Sequence, residues 1–311
     1  MIDDGAVISV TSGSTDLLGE RAVVLDTPFR VASVSKLYVA ALTLELAERG
    51  ELSLDEPIGS QPLTLPPQLG FARRLTLRQL LTHTSGLGQT VTRDQDRGRV
   101  LSTSEQLARI PPPICKPSSC WSYADGNYVL VQVVIEAATK RSLSELLRVE
   151  LLEPLGLRET VLVDAANVDT PLPSQYALVS DDSGRPIEPY RLFEQSLPEG
   201  ATLLTTAKDA ARFVDALFSG EVLGSESLTA MIDPSAMRDL PCPRGCDSEY
   251  GLGVFRYLVA GHELVGHDGS SGAVVVHDRS RQLTVVILTN GGEQDIGRFL
   301  ESILGAIDGE T

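Results

Sequence analysis

The sequence predicts an α/β chain of the α+β kind: an antiparallel sheet flanked by helices, with an all-helical subdomain inserted into it. Three observations carry that expectation. Strand-like runs stand near both ends of the 311 residues, with helical patterns between them. A long helix begins directly after Phe29-Arg30-Val31-Ala32-Ser33 and is apolar on most faces, which marks a buried helix. From about residue 57 the texture changes to short helical patterns punctuated by Pro57, Pro62, Pro66, Pro67 and Pro111-Pro112-Pro113. The expected division is a discontinuous sheet subdomain, 1–56 with 200–311, around a helical subdomain at 57–199.

Taken in order, residues 5–10 and 17–25 flank Thr11-Ser12-Gly13-Ser14-Thr15 and read as a β-hairpin. Residues 34–49, rich in Ala and Leu and stopped by Gly50, form the central helix. A short helix at 75–81 ends near His83-Thr84-Ser85-Gly86. Residues 127–139 have the Val content of a strand but the length of a helix, and 142–152 make a second helix beside it. Loops rich in Pro and Asp fill 164–199, and helices follow at 206–219 and 225–232. Strands return at 250–260, 272–277 and 282–289, the last two joined by the turn Asp278-Arg279-Ser280-Arg281, before a final helix at 294–307.

Composition narrows the function classes. Hydrophobic content of 42% and charged content of 22% match a globular protein. A net charge of −16 argues against nucleic acid and anionic membrane surfaces as partners. No apolar run reaches the roughly 18 residues of a membrane span. Met1-Ile2-Asp3-Asp4 lacks the basic and apolar regions of a signal peptide, which fits either a cytoplasmic protein or a mature secreted one. Cys115 and Cys120 form one local pair, Cys242 and Cys246 another. Two short disulfides would suit a secreted or cell-envelope protein; a four-thiolate zinc site or free thiols would suit an intracellular one. Both spacings exceed the two-residue zinc knuckle, which favours disulfides.

Ser33-Val34-Ser35-Lys36 is the stretch with chemistry in it. In a helix beginning near Ser33, the Ser and Lys36 share a face. The positive end of the helix favours negative charge developing on the hydroxyl. The same field and partial burial lower the pKa of an ammonium, so Lys36 can serve as the base. The plain alternative is an N-cap Ser followed by a solvated Lys. Two other phrases stand out: Tyr123-Ala124-Asp125 after Trp121-Ser122, in a loop that opens a helix, and His267-Asp268-Gly269 between strand-like segments. Each has a structural alternative, a buried aromatic for Tyr123, a strand-end residue for His267 and a bulge for Gly269. His262, His267 and His277 point in differing directions on strands, so no metal site is expected. Without a phosphate or dinucleotide fingerprint, no cofactor is expected either.

In this order, the three motifs resemble the serine β-lactamase and penicillin-binding-protein superfamily, whose fold is the β-lactamase/transpeptidase-like one. The Tyr in the second motif is most similar to class C β-lactamases, D-alanyl-D-alanine carboxypeptidases, D-aminopeptidases and related esterases. Leu80-Leu81-Thr82-His83-Thr84-Ser85-Gly86-Leu87, Tyr250-Gly251-Leu252-Gly253, Gly266-His267-Asp268-Gly269 and Val285-Val286-Ile287-Leu288-Thr289-Asn290 look like signature phrases of that superfamily. The resemblance implies Ser33 as acylated nucleophile, Lys36 as its base, and Tyr123, favoured as phenolate, as proton relay. It further implies an oxyanion hole from the backbone N–H groups of Ser33 and of Ser270 on an edge strand, with Gly269 letting substrate approach.

Two departures bear on the substrate. Asp125 stands where many relatives carry Asn, and an ionised Asp only accepts hydrogen bonds. It could pair with Lys36 or hold it in place, with Asn127 as a substitute amide. Asp268 stands where Thr is common and would repel a substrate carboxylate. Asp125, His267, Asp268 and Gly269 are therefore expected to line a substrate site that takes neutral or amine-bearing esters, peptides or amides. The alternatives are a catalytically quiet binding or sensing module and, with an amine replacing water, an acyl transferase or transpeptidase. Relatives place a helix ahead of the first strand and only four residues precede Gly5 here, so either the chain is trimmed or one sheet face is less covered, which could support a homodimer.

Overall fold

The central sheet draws its strands from both ends of the chain. The computed structural model describes residues 2–3, 6–15, 19–90, 101–163, 202–242, 248–290 and 296–309. From the first part come β1 (Ile2–Asp3) and β2 (Ala6–Val7), while β3 (Phe29–Arg30) belongs to a separate three-stranded sheet. Near the C-terminus lie β6 (Glu249–Tyr250), β7 (Phe255–Val259), β8 (His262–Gly269), β9 (Ala273–Asp278) and β10 (Leu283–Ile287). The seven-stranded sheet runs β2-β1-β10-β9-β8-β7-β6, antiparallel at each pairing.

The period-two alternation of a strand divides that sheet into two apolar faces. Val274, Val276, Leu283 and Val285 lie with Leu300 and Leu304 of the C-terminal helix. Ala273 and Val275, one residue out of phase, join the main core. At its centre is α1 (Ser35–Glu48), which ends where Gly50 takes a φ of +74°. Leu37, Tyr38, Leu42 and Leu46 of α1 are fully enclosed, and burying a side chain of this size contributes about 1.5–3 kcal/mol.

Further helices join the same cluster, among them α2 (Leu77–Leu81), α4 (Gly126–Thr139), α6 (Ala207–Phe218) and α7 (Ser225–Ile232). One core therefore runs through both parts of the division expected at 57 and 199. Capping boxes start α2, through Thr76 and Gln79, and α3 (Thr103–Leu107), through Ser102 and Glu105. The helix expected at 142–152 begins as α5 (Leu143–Leu146) and continues with π-helical bonding over Leu147–Leu152. The last helix is α8 (Ile296–Asp308).

Several expectations need correction. Within 57–199 lies a strand, β4 (Val161–Leu162), which pairs with β5 (Leu203–Thr205) beside β3, so that stretch is not all-helical. β2 pairs with β1; of the hairpin expected between 5–10 and 17–25, the described residues show a bridge between Ser14 and Ala22, flanked by hydrogen bonds from Thr15 N–H to the Arg21 carbonyl and from Val23 N–H to the Gly13 carbonyl. The run at 250–260 is two strands, because the chain turns at Gly251-Leu252-Gly253 to pack on α1. A Cβ on Gly253 would meet that of Ala40 at 2.3 Å. His267-Asp268-Gly269 is not between strands but ends β8. The loops expected at 164–199 lie outside the described residues. Cys115 and Cys120 form a disulfide, and Cys242 is disulfide-bonded, against a thiolate zinc site; Cys246 lies outside the described residues.

Candidate active site

Ser33 sits in a 3-10 turn, Ala32–Val34, between β3 and α1. Both sides of the turn are pinned to β5. Val31 N–H donates to the Leu203 carbonyl at 3.1 Å, and Leu203 N–H donates to Ser35 Oγ at 2.8 Å. Ala32 is driven to a φ of +44°, a left-handed conformation that costs a non-glycine residue about 1–3 kcal/mol and is concentrated at functional sites. Ser33 does not cap the helix: the cap position is Val34, with no side-chain cap bond. Its hydroxyl instead accepts a 2.9 Å hydrogen bond from Lys36 Nζ.

Lys36 is buried, which removes the solvated-lysine alternative. Its ammonium lies 2.8 Å from Asp125 Oδ1, with side-chain exposures of 2% and 7%. Lys36 Nζ also sits 5.1 Å from the Tyr123 ring centre and 5.6 Å from that of Tyr128. Asp125 is fixed from its other side by Gln89. The Gln89 amide donates to Asp125 Oδ2 at 2.7 Å, and its carbonyl accepts from Asp125 N–H at 2.9 Å. Nothing in the sequence marked Gln89, an isolated polar residue 36 positions away.

Tyr123 is half-buried with its hydroxyl enclosed, Ser33 and Lys36 facing that hydroxyl and no well-formed hydrogen bond reaching it at rest. Burial raises its pKa; the Lys36 charge works the other way, and Asp125 adds to the rise. Tyr123 is thus favoured as phenol, against the phenolate expected from the nearby ammonium, chiefly because burial of the hydroxyl outweighs the Lys36 charge, with Asp125 adding a smaller effect in the same direction.

The loop carrying Tyr123 is held by His83, buried in the turn after α2 with a φ of +56°. His83 Nδ1 accepts from Ala124 N–H at 3.2 Å and lies 2.9 Å from Asn127 Nδ2, while Ser85 Oγ donates to Asn127 Oδ1 at 2.6 Å. The His83 ring lies 4.2 Å from the Tyr123 ring. Burial, with Lys36 nearby, pushes its pKa well down, so it stays neutral and Nδ1 stays an acceptor. The Leu80–Leu87 phrase, which the sequence marked only by resemblance, thereby gains a physical purpose. Asn127 is taken up by this network and is no substitute amide at Lys36.

His267, on the main-core side of β8, is also neutral. Burial pushes its pKa down to about 4, with the Asp268 charge opposing. Nδ1 donates to the Asp268 carbonyl at 2.6 Å, leaving Nε2, 3.1 Å from the Tyr250 hydroxyl, as an acceptor. Asp268 accepts at 2.5 Å from Tyr257, with Leu264 and Val274 on its side of the sheet. The structure thus joins Asp125 to Lys36 and leaves Asp268 with Tyr257. β8 is an interior strand, not the edge expected, but its ladder with β7 stops at Gly266, so 267–269 present an open edge there. Gly269 serves the chain itself: a Cβ there would meet the Val31 carbonyl oxygen at 2.3 Å. Its absence lets the strand end, with Ser270 next in sequence, pack on the turn that holds Ser33.

These residues assemble a hydroxyl, a buried amine hydrogen-bonded to it, a carboxylate paired with that amine and a phenol around one centre, a set suited to acyl transfer. Comparison with known proteins agrees. The Beta-lactamase family model matches residues 1–300. Penicillin-binding protein 4 of Amycolatopsis lactamdurans is 28% identical over 309 residues, 93% of this chain and 79% of that protein. Esterase EstB of Burkholderia gladioli is 34% identical over 207 residues, 60% of this chain; the match spans half the length of that esterase. D-amino acid amidase from Ochrobactrum anthropi SV3 shares the fold, with a TM-score of 0.81 at 22% identity, covering 96% of this chain and 89% of that one.

Proposed function

This chain belongs to the Beta-lactamase family, and we propose that it is a serine acyl hydrolase that forms an acyl-enzyme on Ser33. The single observation that carries the reading is the 2.9 Å hydrogen bond from buried Lys36 to Ser33. Ser33 Oγ attacks the acyl carbon as its proton passes to Lys36 in its neutral, amine form. The leaving group departs with a proton from the Tyr123 phenol, which is replenished from Lys36. Water then attacks the acyl-enzyme, its proton returns through the same groups, and the free acid leaves. Backbone N–H groups of Ser33 and Ser270 stabilise the oxyanion, and losing one such donor costs about 10²–10³ in rate.

The substrate is a neutral or amine-bearing ester, amide or peptide. The Lys36 charge is met by Asp125, and burial keeps His267 neutral. Neither is a spare cation for a substrate carboxylate. The likeness to an esterase supports including esters. No helix among the described residues is long and apolar enough to cross a membrane. Exposed Val7 and Ile8 on and next to the edge strand β2, with Val10, Val24 and Leu25 also exposed, support a homodimer.

Intact mass after treatment with an alkyl fluorophosphonate tests the chemistry. One adduct is expected, absent in Ser33→Ala; no adduct from any acyl donor would leave a binding or sensing module. A panel of p-nitrophenyl esters, D-amino acid p-nitroanilides and nitrocefin tests the substrate class. Preference for nitrocefin and other anionic β-lactams would overturn that part.

A further inference from the structure

The acyl-enzyme reading requires Lys36 as a neutral amine, yet the resting site holds it as an ion pair, Nζ to Asp125 Oδ1 at 2.8 Å. Solvent cannot readily take the proton, since both side chains are almost wholly enclosed. Asp125 itself is held from two directions. Gln89 bonds to its Oδ2 and to its backbone N–H, which leaves Oδ1 directed at Lys36.

We propose that Asp125, oriented by Gln89, is the proton acceptor for Lys36, so that Gln89, Asp125, Lys36 and Ser33 act as one relay. In this relay the ammonium gives one proton to Asp125 Oδ1, leaving a neutral amine beside a neutral carboxylic acid. The pair has zero net charge before and after. The amine then takes the Ser33 proton as Oγ bonds to the acyl carbon, and passes it through Tyr123 to the departing group as the scissile bond breaks. The acid returns its proton to the amine, restoring the ion pair before the next attack. No proton has to cross to bulk water for Ser33 to be activated.

The surrounding groups suit this exchange. Tyr123 and Tyr128 are held protonated by burial, and His83 and His267 are held neutral by it. Asp268 is bonded to Tyr257. The two imidazoles and two phenols around the pair thus carry no charge that would fix its proton on either partner. Gln89 is a positioning residue: it acts on Lys36 only through Asp125.

The inference rests on the acyl-enzyme reading, and the test separates the two. Phosphonylation of Ser33 by an alkyl fluorophosphonate, followed by intact mass from pH 4 to 10, reads the nucleophile alone. Asp125→Asn removes the acceptor while keeping the shape, so Lys36 must lose its proton to solvent. Expected are a maximal rate at least tenfold lower at pH 7 and an acid limb moved up by one pH unit or more. Gln89→Ala loosens the carboxylate but leaves it in place. It should lower the limiting rate about threefold to tenfold with inhibitor affinity and acid limb unmoved. Thermal melts establish that the variants fold; should Asp125→Asn fail to fold, Gln89→Ala decides. Wild-type rate and pH profile in Asp125→Asn overturn the relay, as does wild-type rate in Gln89→Ala. An effect confined to inhibitor affinity also overturns it, because it would make Asp125 a substrate-binding group. Failure to label the wild type would instead overturn the acyl-enzyme reading.

Discussion

Gly269→Ala tests how closely the end of β8 must approach the nucleophile turn. The added Cβ would stand 2.3 Å from the Val31 carbonyl oxygen and 3.3 Å from the Ala32 Cβ. Non-bonded carbon and oxygen need about 3.0 Å or more, so the strand and the turn must part by about 0.7 Å. Neither side gives easily, because Val31 is bonded to Leu203 and Asp268 and Gly269 pair with Val274 and Ala273. Overpacking of this kind costs about 1–3 kcal/mol of stability. For the proposed oxyanion hole the consequence is larger. Displacement of that order can cost about 10² in rate, and full loss of one donor about 10²–10³. The assay is kcat/KM on a p-nitrophenyl ester alongside urea unfolding, with Gly70→Ala as control, since a Cβ there meets nothing within 4 Å. A fall of about 10² for Gly269→Ala is expected, against near-neutrality for the control. A variant destabilised by the expected amount but within threefold of wild-type kcat/KM would refute the placement of Ser270 in the oxyanion hole.

His83→Phe keeps a ring beside Tyr123 but removes the acceptor for Ala124 N–H and Asn127 Nδ2. A buried donor left unsatisfied costs about 1–3 kcal/mol, so urea unfolding should show at least that loss, with a lower kcat; unchanged stability would count against the network. His262 lies between Asp278, at 2.8 Å, and Asp308, at 3.0 Å, tying α8 to the sheet. The hydrogen bond to Asp278 raises its pKa above 6.5, burial opposes, and Asp308 adds to the rise. A raised histidine stabilises fully below its unfolded pKa of about 6.5 and loses that contribution as pH rises through the folded value. The stability gap between wild type and His262→Gln should therefore be wider at pH 6 than at pH 9, read by urea unfolding; a gap independent of pH would refute the pairing.

Much of the fold was legible because hydrophobic periodicity records burial locally. The apolar run at 34–49 became α1 nearly residue for residue, and the Val-rich run at 127–139 became α4 because its length outweighed its composition. The failures lie where pairing depends on distant chain. β2 pairs with β1, and the expected hairpin is centred on the Ser14–Ala22 bridge. β4 is two residues long and exists through its partner β5. At Gly251-Leu252-Gly253 the apolar pattern continues through a turn that close packing on α1 imposes.

At the site, the sequence by itself determined the reactive groups and their local spacing. Ser33 and Lys36 fall on one face because they are three residues apart at a helix start, and the polypeptide carries that relation wherever the helix goes. Only the tertiary structure decided which charges meet. Asp125 and Asp268 looked alike in sequence, two carboxylates beside motifs, yet one lies against Lys36 and the other accepts from Tyr257. Tyr123 was expected as a phenolate, yet the fold favours the phenol, since burial of the hydroxyl outweighs the neighbouring cation. Gln89 and His83 could be assigned no task without the fold. Long-range electrostatics and hydrogen bonding are set by distances in space, which spacing along the chain does not encode.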